Sequence, residues 1–338
     1  MQNLMGVISA VVGLLWLGAS PWTPRVVGAE KETPSPDGET LSLADIRIRD
    51  PFVFTDAKNG RYLMVASKAN RDSKARGWEC YTSKDLQHWA KPVSVFTPPA
   101  GFWADHDFWA PEIHAYHNKY YLFGTLSADR VNRGTQIFEA ENPLGPYRPH
   151  SAGAATPHDW MALDGTLYVE NNQPWMVFCH EWVQIGDGAM DAVRLSPDLS
   201  KPIGDPIVLF HASEAPWGRP NEPGKYVTDG PCLYRMKSGP LVLLWSSFGA
   251  RGYTVGMAYS KSGSIQGPWA FDNRKPIYEG GGHGMIFRSL EGKPMFVLHG
   301  PNDATKERAR FFQVEETLDS NGVSQTLRLT PVAWQNKP

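Results

Sequence analysis

Five short stretches place an ionisable side chain at or near the head of an apolar run: Asp50-Pro51-Phe52-Val53-Phe54, Trp109-Ala110-Pro111-Glu112-Ile113, Leu163-Asp164-Gly165-Thr166-Leu167, Thr228-Asp229-Gly230-Pro231-Cys232 and Gly282-His283-Gly284-Met285-Ile286. A further acid, Glu181, stands in His180-Glu181-Trp182. The chemistry open to such groups is proton transfer. An ionised carboxylate draws a proton from water, and a neighbouring carboxyl kept protonated by burial or like charge delivers one. Residues spread along most of a chain do this only if the fold gathers them.

The segments around these residues supply the gathering device. Each opening is followed by a polar turn and a second, more hydrophobic strand: Arg61-Tyr62-Leu63-Met64-Val65, Tyr120-Tyr121-Leu122-Phe123-Gly124, Pro174-Trp175-Met176-Val177-Phe178, Leu241-Val242-Leu243-Leu244-Trp245 and Pro294-Met295-Phe296-Val297-Leu298. Turns such as Lys58-Asn59-Gly60 and Glu291-Gly292-Lys293 have hairpin chemistry. The openings recur at intervals of about 50 to 65 residues, the period of propeller blades with three or four antiparallel strands. The 13 Trp, 12 Tyr and 15 Phe beside 32 Gly and 28 Pro suit many short strands and tight turns. The chain is therefore predicted to be all-β, a five-bladed β-propeller. Ser42 to Arg49 is expected to close the ring by adding a strand to the last blade.

In a propeller the innermost strands line the channel and begin on one face. Asp50, Glu112, Asp164, Asp229 and His283 are thus expected to ring one funnel. The ends of the return strands, His180-Glu181-Trp182 and Ser246-Ser247-Phe248, would form its next shell. Converging carboxylates repel and lose solvation, so a core built for stability avoids them and a site for chemistry explains them. Separated carboxylates acting without a nucleophilic Ser point to glycoside hydrolysis. Aromatic rings suit the C–H faces of sugars, which makes Trp78, Trp103, Trp109 and Trp182 candidate platforms, with His106, Asp107 and His180 as polar neighbours.

The order and spacing of Ile48-Arg49-Asp50-Pro51-Phe52, Phe108-Trp109-Ala110-Pro111-Glu112, Leu163-Asp164 and Gly282-His283-Gly284 resemble glycoside hydrolase family 43, from Ile48 to about Asn302. The resemblance implies that Asp50 is the general base and that Asp164 orients it and raises the acid's pKa. It also implies an inverting mechanism and a histidine, His283, near the channel axis. No cofactor is required, although a structural Ca2+ beside His283 is compatible with the pattern. The family pattern has Glu before Gly-Pro in the fourth blade, where this chain has Asp229, one methylene shorter. Asp229 and Glu181 both remain candidates for the acid. The activity implied is hydrolysis of terminal or side-chain sugars of plant polysaccharides, foremost as an α-L-arabinofuranosidase, with β-xylosidase or a galactan-active exo-hydrolase as alternatives. Loss of catalysis through Asp229 would leave a sugar-binding propeller.

The remaining features set the address and exclude partners. The 33 basic against 35 acidic residues leave a formal charge of −2, with no footprint for nucleic acid. The apolar run from Met5 to Ser20, followed by small residues up to Ala29, reads as a signal peptide over residues 1–29. Residues 30–40 read as a polar linker and 41–338 as the catalytic propeller, secreted or periplasmic and free of the membrane after cleavage. Cys80, Cys179 and Cys232 are too few for a disulfide framework.

Overall fold

The computed structural model describes residues 40–338 except 73, 272–274, 319–324 and 337–338. The expected signal peptide and nearly all of the linker lie outside the described residues. Five antiparallel sheets follow one another along the chain. Their innermost strands are Phe52–Asp56, His106–Tyr116, Ala162–Glu170, Asp229–Arg235 and Gly282–Arg288, each hairpin-paired to the hydrophobic return strand that follows it. The architecture is a five-bladed β-propeller, as the repeat predicts.

Blades stay together because each buries both faces against its neighbours. One apolar cluster joins Val53, Met64 and Tyr81 of blade 1 to Met285, Val297 and Phe311 of blade 5, and another joins Trp175 and Met190 of blade 3 to Leu243 and Trp245 of blade 4. Every side chain named in these clusters is at least nine-tenths buried. At about 25 cal/mol per Å² of apolar surface, such interfaces are the main favourable term in holding the ring.

Ring closure differs from the expectation. The strand Leu41–Ser42 pairs with His88–Trp89 of blade 1, and blade 5 takes its outer strand, Gln325–Pro331, from its own segment. Each blade is therefore contiguous in sequence. Closure rests on the apolar cluster between blades 1 and 5 and on polar links across it. Ile48 N–H donates to Glu307 O at 3.3 Å, Leu290 N–H to Tyr62 Oη at 2.8 Å, and Arg49 Nη1 to Glu307 Oε1 at 2.8 Å. Cys80, Cys179 and Cys232 are free thiols, the first two buried.

Candidate active site

One local distortion recurs in every blade and builds the site. Asp50, Ala110, Asp164, Gly230 and His283 all have left-handed backbone, with φ of 52°, 41°, 58°, 50° and 50°. In blades 2 to 5 the strand register slips at this residue, so that two residues oppose one on the return strand. Such a bulge twists the strand and re-aims its side chains. Asp and His tolerate this region better than most residues and Gly occupies it freely, so the sequence fits the distortion at four of the five positions.

Four of these left-handed residues donate their backbone N–H to a side chain of the preceding blade. Asp164 N–H reaches Thr125 Oγ1 at 2.9 Å, His283 N–H reaches Ser246 Oγ at 2.8 Å, Gly230 N–H reaches Asp164 Oδ2 at 3.0 Å, and Asp50 N–H reaches His299 Nδ1 at 3.3 Å. Each blade thereby fixes the functional residue of the next. The residues just before the bulge, including Arg49, Trp109, Leu163 and Asp229, line a cavity of about 350 Å³ together with Asp50, Asp164, Glu181, Trp182, Tyr253 and His283. Glu112 does not share it. That side chain lies two residues past the bulge, facing the axis below, where its Oε2 is 2.9 Å from His114 Nε2. The expected ring of five openings is thus two tiers, with Glu112 in the lower one.

The upper tier separates its carboxyls electrostatically. Burial pushes Asp50 up, but the His283 imidazole, aided by His299 and the Arg49 guanidinium, outweighs it and holds the carboxyl well below its ordinary range. His283 Nδ1 lies 3.3 Å from Asp50 Oδ1 and 3.7 Å from Asp164 Oδ2. Asp229 is pushed up to about 7 by burial and by the charge of Asp164, although Tyr253 Oη–H donates to its Oδ2 at 2.8 Å. Asp164 is raised well above its ordinary value by burial and by Asp50. Burial also raises Glu181, but Arg133 Nη1 contacts its two oxygens at 3.1 and 3.0 Å and opposes the shift. Carboxyls driven apart in this way divide into acid and base roles.

His299 braces the base through both ring nitrogens. Its Nε2 faces Asn302 Oδ1 at 3.3 Å, an oxygen that also accepts from Arg49 Nη1 at 2.8 Å. Its Nδ1 accepts from Asp50 N–H at 3.3 Å and lies 3.1 Å from Asp50 Oδ1. That oxygen is buried and has no hydrogen-bond partner among the described residues.

The aromatic and histidine candidates fall in different places. Trp109, 39% exposed, and Trp182 line the cavity, with Arg133 Cζ 4.9 Å from the ring centroid of the first and Lys225 Nζ 5.5 Å from that of the second. Trp78 is wholly buried among Phe96, Phe108 and Phe138, and its Nε1–H donates to Phe108 O. Trp103 packs at the edge of the same cluster and donates to Gln136 Oε1 at 2.7 Å. His106 is exposed beside Asp105 and Asp129. His180 stacks on Trp160 at 4.0 Å and bonds Gln184, with no hydrogen bond to Glu181. Trp78, Trp103, His106 and His180 do not line the cavity.

Sequence reasoning assigned no role to Arg49, Arg133, Tyr253 or His299. Of these, His299 had a readable signal, since it stands near the end of the fifth return strand, Pro294–Gly300. The axial cavity beneath His283 measures about 10 Å³ and offers Glu112 and Asp50 among Pro, Gly, Ala, Phe and Met. That is room for about one water and falls short of the six to eight oxygens that Ca2+ takes. The residues of this lower cavity do not fit such an ion.

Comparison with known proteins identifies the family. An endo-arabinase structure from Bacteroides thetaiotaomicron VPI-5482 superposes with a TM-score of 0.76 at 39% identity, covering 82% of this chain and 97% of that one. The extracellular exo-α-(1→5)-L-arabinofuranosidase ArbA of Cellvibrio japonicus is 24% identical over 298 residues, 78% of this chain and 80% of that protein. The extracellular endo-α-(1→5)-L-arabinanase 1 of Bacillus subtilis is 25% identical over 224 residues, 62% of this chain and 65% of its own length. The match thus spans slightly less than two thirds of the Bacillus enzyme. Residues 43–337 fit the model of glycosyl hydrolases family 43, and with the propeller and its ring of carboxylates already in place, the chain belongs to that family.

Proposed function

We propose that this chain is an inverting glycoside hydrolase, exported from the cell, that cleaves α-L-arabinofuranosyl linkages of arabinose-containing polysaccharides. The observation that carries the reaction is the divergence of two carboxyls in one cavity: Asp50 held ionised, Asp229 poised near pH 7. The Asp50 carboxylate takes a proton from water as that water attacks the anomeric carbon. Asp229 delivers its proton to the departing glycosidic oxygen. Asp164 supports the acid, since its Oδ2 accepts from the Gly230 N–H beside Asp229. Asp229 suits the acid role better than Glu181, whose oxygens are tied to Arg133 and would give up that pairing on protonation. The arabinose assignment is supported by the named relatives, and export by the apolar N-terminal run and the extracellular relatives.

The test uses linear α-1,5-arabinan and the nitrophenyl glycosides of arabinofuranose and xylopyranose. The native chain is expected to hydrolyse the arabinose substrates, with single sugars or a ladder of oligomers reporting terminal or internal attack. Asp50→Asn should lower kcat by on the order of 100- to 10,000-fold. Asp229→Asn should lose far more on arabinan than on the nitrophenyl arabinoside, whose leaving group needs little protonation. If Glu181→Gln shows that contrast instead, the acid is Glu181. Turnover of the xyloside alone overturns the substrate, and sugar binding without turnover overturns the enzyme.

A further inference from the structure

A second large cavity lies away from the carboxylates. It measures about 770 Å³, within the range of ligand sites, and sits where the blade 5 strand Arg308–Leu318 meets Ser42 and His88 of blade 1. Arg308 pairs with Gly300, the neighbour of His299. The cavity therefore lies at the end of blade 5 from which His299 reaches Asp50.

Two guanidiniums dominate its charge. Arg308 and Arg310 are two apart on one strand and share a face. Arg308 is anchored by Nε–H to Ala44 O at 2.7 Å and Nη1–H to Glu307 O at 2.9 Å, and Arg310 by Nε–H to Gly300 O at 3.2 Å. Those bonds fix the stems and leave Nη2 of Arg308 and both Nη of Arg310 without a partner among the described residues. Neither guanidinium has a carboxylate within ion-pair distance there, and no Asp or Glu lines the cavity. The acids closest in sequence to its lining stand outside it: Asp45, whose Oδ2 accepts from Ser42 N–H and Oγ–H, meets part of the charge of Arg308, and Asp85 Oδ2 contacts His88 Nδ1 at 2.7 Å, while Arg310 meets neither.

An aromatic face completes the lining. Trp334 is half-buried, tilted at 48° to Phe311, and held by Gln335, whose Oε1 accepts from Phe311 N–H at 2.8 Å. An indole suits the C–H face of a sugar ring, and a guanidinium suits a carboxylate through paired hydrogen bonds. A neutral sugar leaves the two cations unused, and a bare anion leaves the indole unused. We propose that this cavity binds uronic acid units, anchoring the carboxylate-bearing part of a branched polysaccharide while the Asp50 cavity cuts its neutral arabinose branches. The substrate context rests on the arabinan reading, but the binding claim does not.

The experiment titrates tetragalacturonate into the full chain carrying Asp50→Asn, which stops turnover, by calorimetry. Its methyl ester, uncharged and of similar shape, is the control. Tetragalacturonate should bind, weaken with added salt, and lose about tenfold or more in affinity in Arg310→Ala and in Trp334→Ala. Arg310 is exposed and Trp334 lies in the C-terminal turn Ala333–Asn336, so both variants should fold, which their unfolding midpoints will check. Absence of binding, equal binding of the ester, or affinity unchanged in both variants overturns the inference. Hydrolysis of neutral linear arabinan, measured without the Asp50 change, should be the same in Arg310→Ala as in the native chain. Failure of that activity in the native chain would fault the arabinan reading alone.

Discussion

At the scale of single residues, the site is a set of proton affinities adjusted by neighbours from distant parts of the chain. Tyr253 illustrates this, since its hydroxyl donates to Asp229 and its ring stacks 5.6 Å from His299, the partner of the base. A hydrogen bond to a carboxylate favours the charged form, so removing it raises the acid's pKa. Tyr253→Phe should therefore move the alkaline limb of the kcat/KM profile to higher pH from its position near 7 and leave the acidic limb, set by Asp50, in place. A pH–rate profile on the nitrophenyl arabinoside checks this, and an unmoved alkaline limb would remove Asp229 from the acid role. Asp50, Asp164 and Asp229 were legible because each stands at a recurring position in the sequence. Arg133 and Tyr253 were not, because no repeat marks them and their partners Glu181 and Asp229 lie far away in sequence.

At the scale of elements, the recurrent bulge does the positioning. Its existence was half-legible. The five openings showed that the inner strands begin alike, but register follows from where two residues face one, and side chains along a strand alternate with a period of two. Matching Glu112 and Asp229 to Asp50 by eye therefore misses by two residues and by one. Gly230 occupies the bulge of blade 4, and a Cβ there would lie 2.7 Å from His283 Cγ at a φ of 50°. Gly230→Ala should destabilise the fold by about 1–3 kcal/mol through left-handed strain and displacement of the ring. Denaturant midpoints measure that cost. Because His283 contacts both Asp50 and Asp164, activity should fall at temperatures where the variant is still fully folded.

At the scale of the whole molecule, stability depends on pH through a buried acid unconnected with catalysis. Asp191 is wholly buried on the strand Ala189–Leu195, and both its oxygens lack hydrogen-bond partners among the described residues. Burial raises it to about 7, His211 opposing. Between about pH 4 and 7 the folded chain holds a proton that the unfolded chain has lost, so this contribution is full below pH 4 and disappears as pH rises through 7. Asp229 acts in the same sense. Asp191→Asn should remove part of that slope and gain on the native chain by on the order of 2–4 kcal/mol at pH 8 relative to pH 4. Urea unfolding at the two pH values gives the comparison, and parallel curves would show that Asp191 is ionised in the fold.

Contiguity of the blades has a consequence for the order in which the protein acquires its function. No blade needs a strand from the far end of the chain, so each can pair as it leaves the ribosome. What must wait is the seam between first and last blades. That seam carries Arg49 to Glu307 and Asp50 to His299, the contacts that orient the base. A nascent chain with four finished blades would hold Asp164, Asp229 and Glu181 in place and still be inert. Catalytic competence arrives with the final docking event, which makes turnover itself a reporter of a closed ring.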